Sequence, residues 1–484
     1  MFCNQRNNRQ KLKLRFIGLS VAVVLMSGCK TVGPDYQRPE VSLPANYVEG
    51  LNQANHTIAT DWWTHYQDPI LNDLVSQALV NNSNIKLAVA RIEEAQALAN
   101  EIGAASLPQV DLNGVANRSR VTESGANEVS NNPRNLYRAQ LGTTFEIDFW
   151  GKLIRAKESV RAQVLASQYA KDTVALSLTG LVASHYLTLR SLDTQISVTQ
   201  ANIKTRDESL ALTRRRLEGG VASILEVHQA EAAVSILSAQ LAELTRLRAQ
   251  NLHQLAVLTA DLNLALAQVG GDQQLPIPPT PPAGLPSSLL EARPDVAQAE
   301  AQMVAANANI GVAKAALYPT ISLTALFGGE SMELADVLKS ASRIWTGGLS
   351  LYLPIFDSGK RNARVDQASA KQKQALASYE GAVQNAFREV NDALVDLRQQ
   401  TARETALNAS QQSAKKALEI AENRYQSGYS AYLDVLDAQR VYNETSIAFI
   451  QSRQARLLAS VALFKALGGG WNAEGKLNGV VNKQ

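Results

Sequence analysis

Cysteine is almost missing from this chain: Cys3 and Cys29 are the two in 484 residues, too few for a disulfide-stapled scaffold. Charged residues are 19%, below the usual quarter, and aromatics only 6%. The histidines His56, His65, His185, His228 and His253 show no metal-ligand spacing. No phosphate-binding loop or nucleophile elbow occurs, and Gly468-Gly469-Gly470 follows a helical stretch, where it reads as a stop. Neither an enzyme nor a resident cofactor is expected. Four methionines give soft metals little to bind. Long apolar runs are absent beyond the N-terminus and the mean hydropathy is −0.14, which excludes a polytopic helical membrane protein. The formal charge of +3 misleads, because five of the 47 basic residues lie in the first 28 positions, where there is no acid. The remainder carries 42 basic against 44 acidic side chains, and a slightly acidic body is a poor nucleic-acid binder.

A strong N-terminal address is present. Basic residues up to Arg15 precede an apolar run from Phe16 to Met26, long enough for a signal-peptide core and too short to span a bilayer. Leu25-Met26-Ser27-Gly28-Cys29 resembles the bacterial lipobox, so residues 1–28 are expected to be a lipoprotein signal and Cys29 the lipidated residue. An ordinary signal peptide with an incidental cysteine is the alternative. Several acyl chains on one residue make a lasting anchor. Lys30, in place of the aspartate common in lipoproteins kept in the inner membrane, implies the outer membrane.

The rest of the chain is written twice. Arg216-Leu-Glu-Gly-Gly220 and Leu225-Glu-Val match Arg424-Tyr-Gln-Ser-Gly428 and Leu433-Asp-Val at an offset of 208. Upstream, Phe149-Trp-Gly-Lys152 pairs with Phe356-Asp-Ser-Gly-Lys360, and Leu107-Pro108 with Tyr318-Pro319. Between the halves, six prolines fall within residues 275–286, an extended linker. The expected division is an N-terminal segment 29–65, a first repeat 66–268, a Pro-rich linker 269–288, a second repeat 289–470 and a tail 471–484.

Each half alternates long helices with short strands. Proline is absent from 134–275 and 355–484, stretches rich in good helix formers. Val383, Phe387, Val390, Leu394 and Leu397 keep a coiled-coil period, as do Leu237, Leu241, Leu244, Leu255, Leu258 and Leu262. From Lys152 to Glu218 only Gly180 interrupts a continuous helix of 67 residues, roughly 100 Å long. Gly219-Gly220 and Gly428 mark reversals.

Elsewhere the period is two. Tyr137, Ala139, Leu141, Thr143, Phe145, Ile147 and Phe149 share one face, with Glu146 and Asp148 on the other. Ile321, Leu323, Ala325 and Phe327 alternate with Ser322 and Thr324, and Trp345, Leu349, Leu351, Leu353 and Ile355 alternate with smaller or polar neighbours. Strands are expected at about 109–119, 137–149, 320–327 and 345–355. They suit either a transmembrane barrel wall or a soluble sheet covered on one side. If the sheet lies in lipid, four strands cannot close a barrel, so copies must pool theirs. Two copies give eight strands and a filled interior; three give twelve and room for a channel.

Gly33-Pro34-Asp35-Tyr36, Asp61-Trp62-Trp63, Arg293-Pro294-Asp295-Val296, Ala316-Leu317-Tyr318-Pro319, Pro354-Ile355-Phe356, Leu436-Asp437-Ala438-Gln439-Arg440 and Ala466-Leu467-Gly468-Gly469-Gly470-Trp471 then carry a resemblance. The chain resembles the TolC-like outer-membrane efflux family, and within it the NodT-type lipoprotein factors of resistance-nodulation-division pumps. The resemblance implies a mainly α homotrimer with one shared 12-stranded transmembrane β-barrel continued by a periplasmic α-helical tunnel. A periplasmic adaptor protein, an inner-membrane resistance-nodulation-division transporter and outer-membrane lipid are the implied partners. The linker and the two ends of the chain are implied to form a belt around the tunnel. Pro108 and Pro319 stand where helix gives way to strand, and Trp150 and Trp345 suit the interface girdle.

Residues matching the family's periplasmic gate are Tyr425, Leu433, Asp437 and Arg440. Leu433, Asp437 and Arg440 fall on one helical face. A leucine ring would plug the tip, whereas an aspartate ring would repel itself unless paired with Arg440 or a cation. By itself the Asp437–Arg440 pair reads as a solvated helix pair worth about a few tenths of a kcal/mol. Gln229 stands where Asp437 would be in the first repeat, so a charge ring would come from the second repeat alone. Glu146 and Asp148, as lumen-facing residues, would bias a pore toward cations or simply hydrate its wall. The expected function is a passive outer-membrane drug-efflux duct. An exit duct for a type I protein-secretion system and a coiled-coil scaffold without a pore are the alternatives.

Overall fold

The computed structural model describes residues 31–44, 47, 59–122, 133–268, 275–277, 279 and 292–471. The expected signal peptide, Cys29, most of the Pro-rich linker and all but the first residue of the tail lie outside the described residues. After a 3₁₀ turn at Trp62–Tyr66 come helices α1 (Pro69–Asn81) and α2 (Ser83–Ala104), strands β1 (Gln109–Ser119) and β2 (Arg134–Ile147), and helices α3 (Lys152–Glu218) and α4 (Ile224–Thr259). The second half repeats the order with α5 (Pro294–Ala315), β3 (Thr320–Ser331), β4 (Arg343–Tyr352), α6 (Lys360–Gln426) and α7 (Tyr432–Ala466). The long helices α3 and α6 are both 67 residues and begin 208 positions apart, as do α4 and α7. Among the described residues no helix is long and apolar enough to cross a membrane.

The chain forms two compact units, each assembled from separate stretches. One unit contains the segment ending at Pro39, Ile92–Ala166 and Glu300–Ser378. It holds a four-stranded antiparallel sheet in the order β1-β2-β3-β4. Its strand bounds differ from the sequence expectation. Strand β2 starts earlier, at Arg134, and stops at Ile147, because Asp148 turns to the start of α3. Strand β3 runs on to Ser331, held by an Arg138–Glu330 ion pair across the ladder with a 2.7 Å hydrogen bond. The ladders pack closely at Gly328, where a Cβ would sit 2.2 Å from the Ala139 carbonyl oxygen. Strand β4 ends at Tyr352, two residues before Pro354, which has no N–H for a ladder.

Residues 31–38 lie along the same unit as a strap. The Val32 N–H donates to the Trp150 carbonyl at 3.0 Å, and Asn307 Nδ2 donates to the Pro34 carbonyl at 3.0 Å. Arg155 pairs with Asp35 and, at 2.7 Å, with Glu158. Tyr36 and Arg38 both reach Glu300, at 3.0 and 2.9 Å. Gly33, at φ +109°, passes so close to Gly311 that a Cβ would be 2.6 Å from its Cα.

The second unit contains Glu40–Arg91, Ser167–Ala299 and the chain from Tyr379 onward. Its largest core joins Trp62, Leu71, Leu74 and Val75 to Val182, Tyr186 and Leu187 of α3, Leu255 of α4, Leu275, and Leu457, Val461 and Phe464 of α7. Trp62 stacks on Phe464 at 5.1 Å, and Trp471 donates to Asp172 at 3.0 Å. Arg293 donates to the Ala466 carbonyl at 2.9 Å and pairs with Asp295 and Glu389 at 2.6 and 2.8 Å. Burial opposes the Arg293 charge, but its two carboxylates hold the pKa above the ordinary arginine value. The segments around Trp62, Arg293 and Gly468–Trp471 therefore meet in one region. Gly180, which interrupts no helix, leaves room for Lys465 of α7, whose Cδ lies 3.6 Å from where a Cβ would stand.

The coiled-coil seam differs in detail from its expected form. Tyr379, Val383, Ala386, Val390, Ala393 and Leu397 are the buried residues of this stretch of α6. Phe387 and Leu394 are half-buried beside it, and Phe387 stacks on Tyr47 at 5.6 Å. Leu262 lies beyond the end of α4 and is exposed, so the leucine series ends earlier than its spacing implies.

Candidate functional site: a sheet face and two hairpin turns

The register aligns side chains across all four strands. Leu112 stands opposite Leu141, Leu141 opposite Phe327 and Phe327 opposite Trp345. Phe145, Leu323 and Leu349 form a second such row, and Ile147, Ile321 and Leu351 a third. Directly opposed residues share a face. The apolar alternation in four separate stretches thus adds up to one continuous apolar surface. Leu112, Leu141, Leu323, Phe327, Trp345, Leu349 and Leu351 are all exposed on it.

The other face carries Thr144, Thr324, Ser322, Ser350, Glu146 and the Arg138–Glu330 pair. Leu326, opposite Gly142 and Thr346, is an apolar exception and is half-buried. Glu146 accepts from Lys152 Nζ at 3.0 and 3.1 Å. Asp148 lies past the strand end, and its carboxylate accepts the Ile154 N–H at 2.8 Å, so it serves the first turn of α3. The two acids expected on the lumen face are therefore both engaged locally.

Pro108 immediately precedes β1 and Pro319 immediately precedes β3. The Pro319 carbonyl accepts Trp150 Nε1–H at 2.8 Å, and Trp150 stacks on Tyr318 at 4.7 Å. Trp345 is exposed on β4.

The two helical hairpins turn in the same way. Gly220 and Gly428 have φ of +72° and +78°, and the next residue's N–H bonds five residues back: Val221 to Arg216 and Tyr429 to Arg424, both at 2.9 Å. This is a Schellman stop, which needs a left-handed residue that glycine supplies without strain. Beside the turns, Leu210, Val227 and Ala230 of the first hairpin pack with Tyr425, Tyr432 and Val435 of the second. Tyr425 and Tyr432 lie 5.4 Å apart, and the Arg216 guanidinium sits 4.6 Å above the Tyr425 ring. Burial raises the Tyr425 pKa, so its hydroxyl stays neutral.

The expected gate residues divide between two environments. Leu433, Asp437 and Arg440 lie exposed on α7, whereas Tyr425 is buried on α6. Arg440 donates to Asp437 at 2.7 Å and to Glu444 at 3.1 Å. Bonds to Asp437 and Glu444 raise its pKa above the ordinary arginine value. Glu444, the second partner, has no place in the gate motif, although its spacing of four from Arg440 marks it as a helical neighbour. Among the described residues no cluster of three or more His, Cys, Asp or Glu could hold a metal.

A strand pair followed by a 67-residue helix, written twice and joined in one amphipathic sheet, defines a barrel-forming outer-membrane channel protein. The family profile described as "Outer membrane efflux protein" matches residues 74–261 and 285–469, and the chain belongs to this family. It is 33% identical over 467 residues to the probable efflux pump outer membrane protein TtgC of Pseudomonas putida, covering 94% of this chain and 95% of that one. It is 32% identical to the cation efflux system protein CusC of Escherichia coli, covering 94% and 99%. The CmeC outer membrane channel of Campylobacter jejuni superposes with a TM-score of 0.85 at 26% identity, over 93% of this chain and 98% of that one. The chain is an outer-membrane channel component of an efflux pump, not an enzyme, and it works with other pump proteins.

Proposed function

We propose that three copies pool their sheets into one 12-stranded barrel and act as a passive, gated duct for drugs or other small toxic compounds. The observation that carries this is the register, which gathers the apolar side chains of four strands onto one exposed face. Among the described residues strand β1 pairs with β2 alone and β4 with β3 alone, which leaves both sheet edges open. Open edges in lipid leave backbone groups unpaired, and a neighbouring copy would pair them. Cys29 carries the lipid anchor once residues 1–28 are removed, and the strap that begins at Thr31 continues from it. The 29–65 segment, the 269–288 linker and the 471–484 tail flank the two repeats, 66–268 and 289–470.

The duct is gated by Leu433, Asp437 and Arg440 on α7, with Tyr425 bracing the same hairpin from its core. In the closed state the Asp437–Arg440 pair holds the tip of each hairpin in the form in which three tips converge. A periplasmic adaptor and a resistance-nodulation-division transporter dock there and favour the open state. The transporter supplies the energy. Pro108 and Pro319 set the helix-to-strand junctions, Trp150 and Trp345 mark the interface, and Glu146 hydrates the lumen wall while Asp148 starts α3. Asp437→Ala and Arg440→Ala should each raise single-channel conductance severalfold in planar bilayers. Unchanged conductance in both variants would remove the gate assignment.

A further inference from the structure

A cavity of about 580 Å³ lies in the sheet-bearing unit, between the start of α3, the second half of α5 and the start of α6. Lys152, Arg361, Arg364 and Lys371 line it, and none of its eleven lining residues is a carboxylate. Arg361, Arg364 and Lys371 follow a helical stripe on α6, so their guanidinium and ammonium groups share one face. Facing it are Ala306, Asn309, Val312 and Ala313 of α5 and Ala316 just past its end, where the three alanines leave the space open.

Two of the four cations are engaged: Lys152 with Glu146 at 3.0 Å, and Arg361 with Asp357 at 3.0 Å. Arg364 and Lys371 have no carboxylate within salt-bridge distance among the described residues, and both are exposed. The first turn of α6 adds the partial positive charge of a helix start.

Two observations orient the cavity. Lys152 reaches Glu146, which shares the polar sheet face with Ser322 and Ser350. The strap contacts α5 through Glu300, Asn307 and Gly311. At 3.6 residues per turn, the cavity residues of α5 lie roughly 100–260° around the helix from those three residues. The cavity thus faces away from the strap, and Lys152 ties it to the polar sheet face through Glu146.

We propose that this cavity is an anion-binding site in the wall of the duct, taking the carboxylate, sulfonate or phosphate group of a small organic anion. The inference rests on the duct reading for the side on which the site opens. Arg364 and Lys371 would contact the anionic group directly, whereas Lys152 and Arg361 are held at the rim by Glu146 and Asp357. Oriented cations in a partly enclosed site attract an anion more strongly than the same groups on an open surface.

The test is binding of a pyrene trisulfonate dye, followed by fluorescence anisotropy, to the full chain purified in neutral detergent at low ionic strength. The double variant Arg364→Gln/Lys371→Gln should bind the dye at least tenfold more weakly. Lys415→Gln/Lys416→Gln, which removes two exposed cations elsewhere on α6, should bind it as the unmodified protein does. Equal affinity in all three proteins would overturn the site. So would a double variant whose only change is a loss of oligomeric assembly, since the two cations would then serve subunit packing. Binding does not require conduction, so a protein that binds the dye but forms no pore would contradict the duct and leave the site standing.

Discussion

Ala260 and Gly468 occupy the same position at the ends of the two repeats, 208 residues apart. Both are left-handed, with φ of +57° and +87°. Both stop a helix in the same way, with the following N–H bonding five residues back: Asp261 to Ala256 at 3.0 Å and Gly469 to Phe464 at 2.9 Å. An L-residue with a Cβ carries a strain there of about 1–2 kcal/mol. Ala260 is exposed, so Ala260→Gly should stabilise the last turn of α4 by about 0.5–1 kcal/mol after the extra freedom of an unfolded glycine is counted. Gly468 has no such room, because a Cβ would stand 1.8 Å from the Ala292 carbonyl oxygen. Gly468→Ala should therefore destabilise by at least about 2 kcal/mol. Hydrogen exchange of the final turns of α4 and α7 would report both, with opposite signs. Equal effects at the two positions would contradict this account of the turns.

At the scale of elements, the sheet divides its substitutions by face. Leu323 and Thr324 are adjacent on β3 but belong to opposite faces. A lysine at Leu323 should cost about 2–4 kcal/mol if it stands near the bilayer midplane, whereas Thr324→Lys should be nearly neutral. The yield of folded protein in the outer membrane, and its unfolding midpoint in urea, would separate the two. Equal losses would place the sheet outside lipid. Much of this level is legible in the sequence, because local periodicity carries it. The lack of proline allows the length of α3, Gly219-Gly220 marks its end, and β1 falls on 109–119. What was not legible depends on partners distant in the chain. The extension of β3 to Ser331 needs Arg138, 192 residues before Glu330. Ala386 and Ala393 occupy the seam ahead of Phe387 and Leu394, a choice that leucine spacing cannot convey. The Arg155–Asp35 pair, the local duties of Glu146 and Asp148, and the burial of Tyr425 likewise arise from tertiary contacts.

At the scale of the whole molecule, function follows from incompleteness. The described residues of one chain supply four strands with two open edges and an exposed apolar face, arrangements that other copies and lipid would satisfy. The duplicated sequence makes this economical, since each half contributes a strand pair and a helical hairpin of the same design. No single-chain cavity needs to hold the cargo, because the duct would lie between copies. The most direct measurement is a cysteine scan of residues 321–327 on β3 in protein reconstituted into lipid vesicles. Each site would be labelled with a fluorophore and quenched from the bilayer or from water. The account predicts alternation: Ile321, Leu323, Ala325 and Phe327 quenched from lipid, and Ser322, Thr324 and Leu326 from water, the leucine included. Quenching that follows hydrophobicity instead of register, or that shows no alternation, would contradict it.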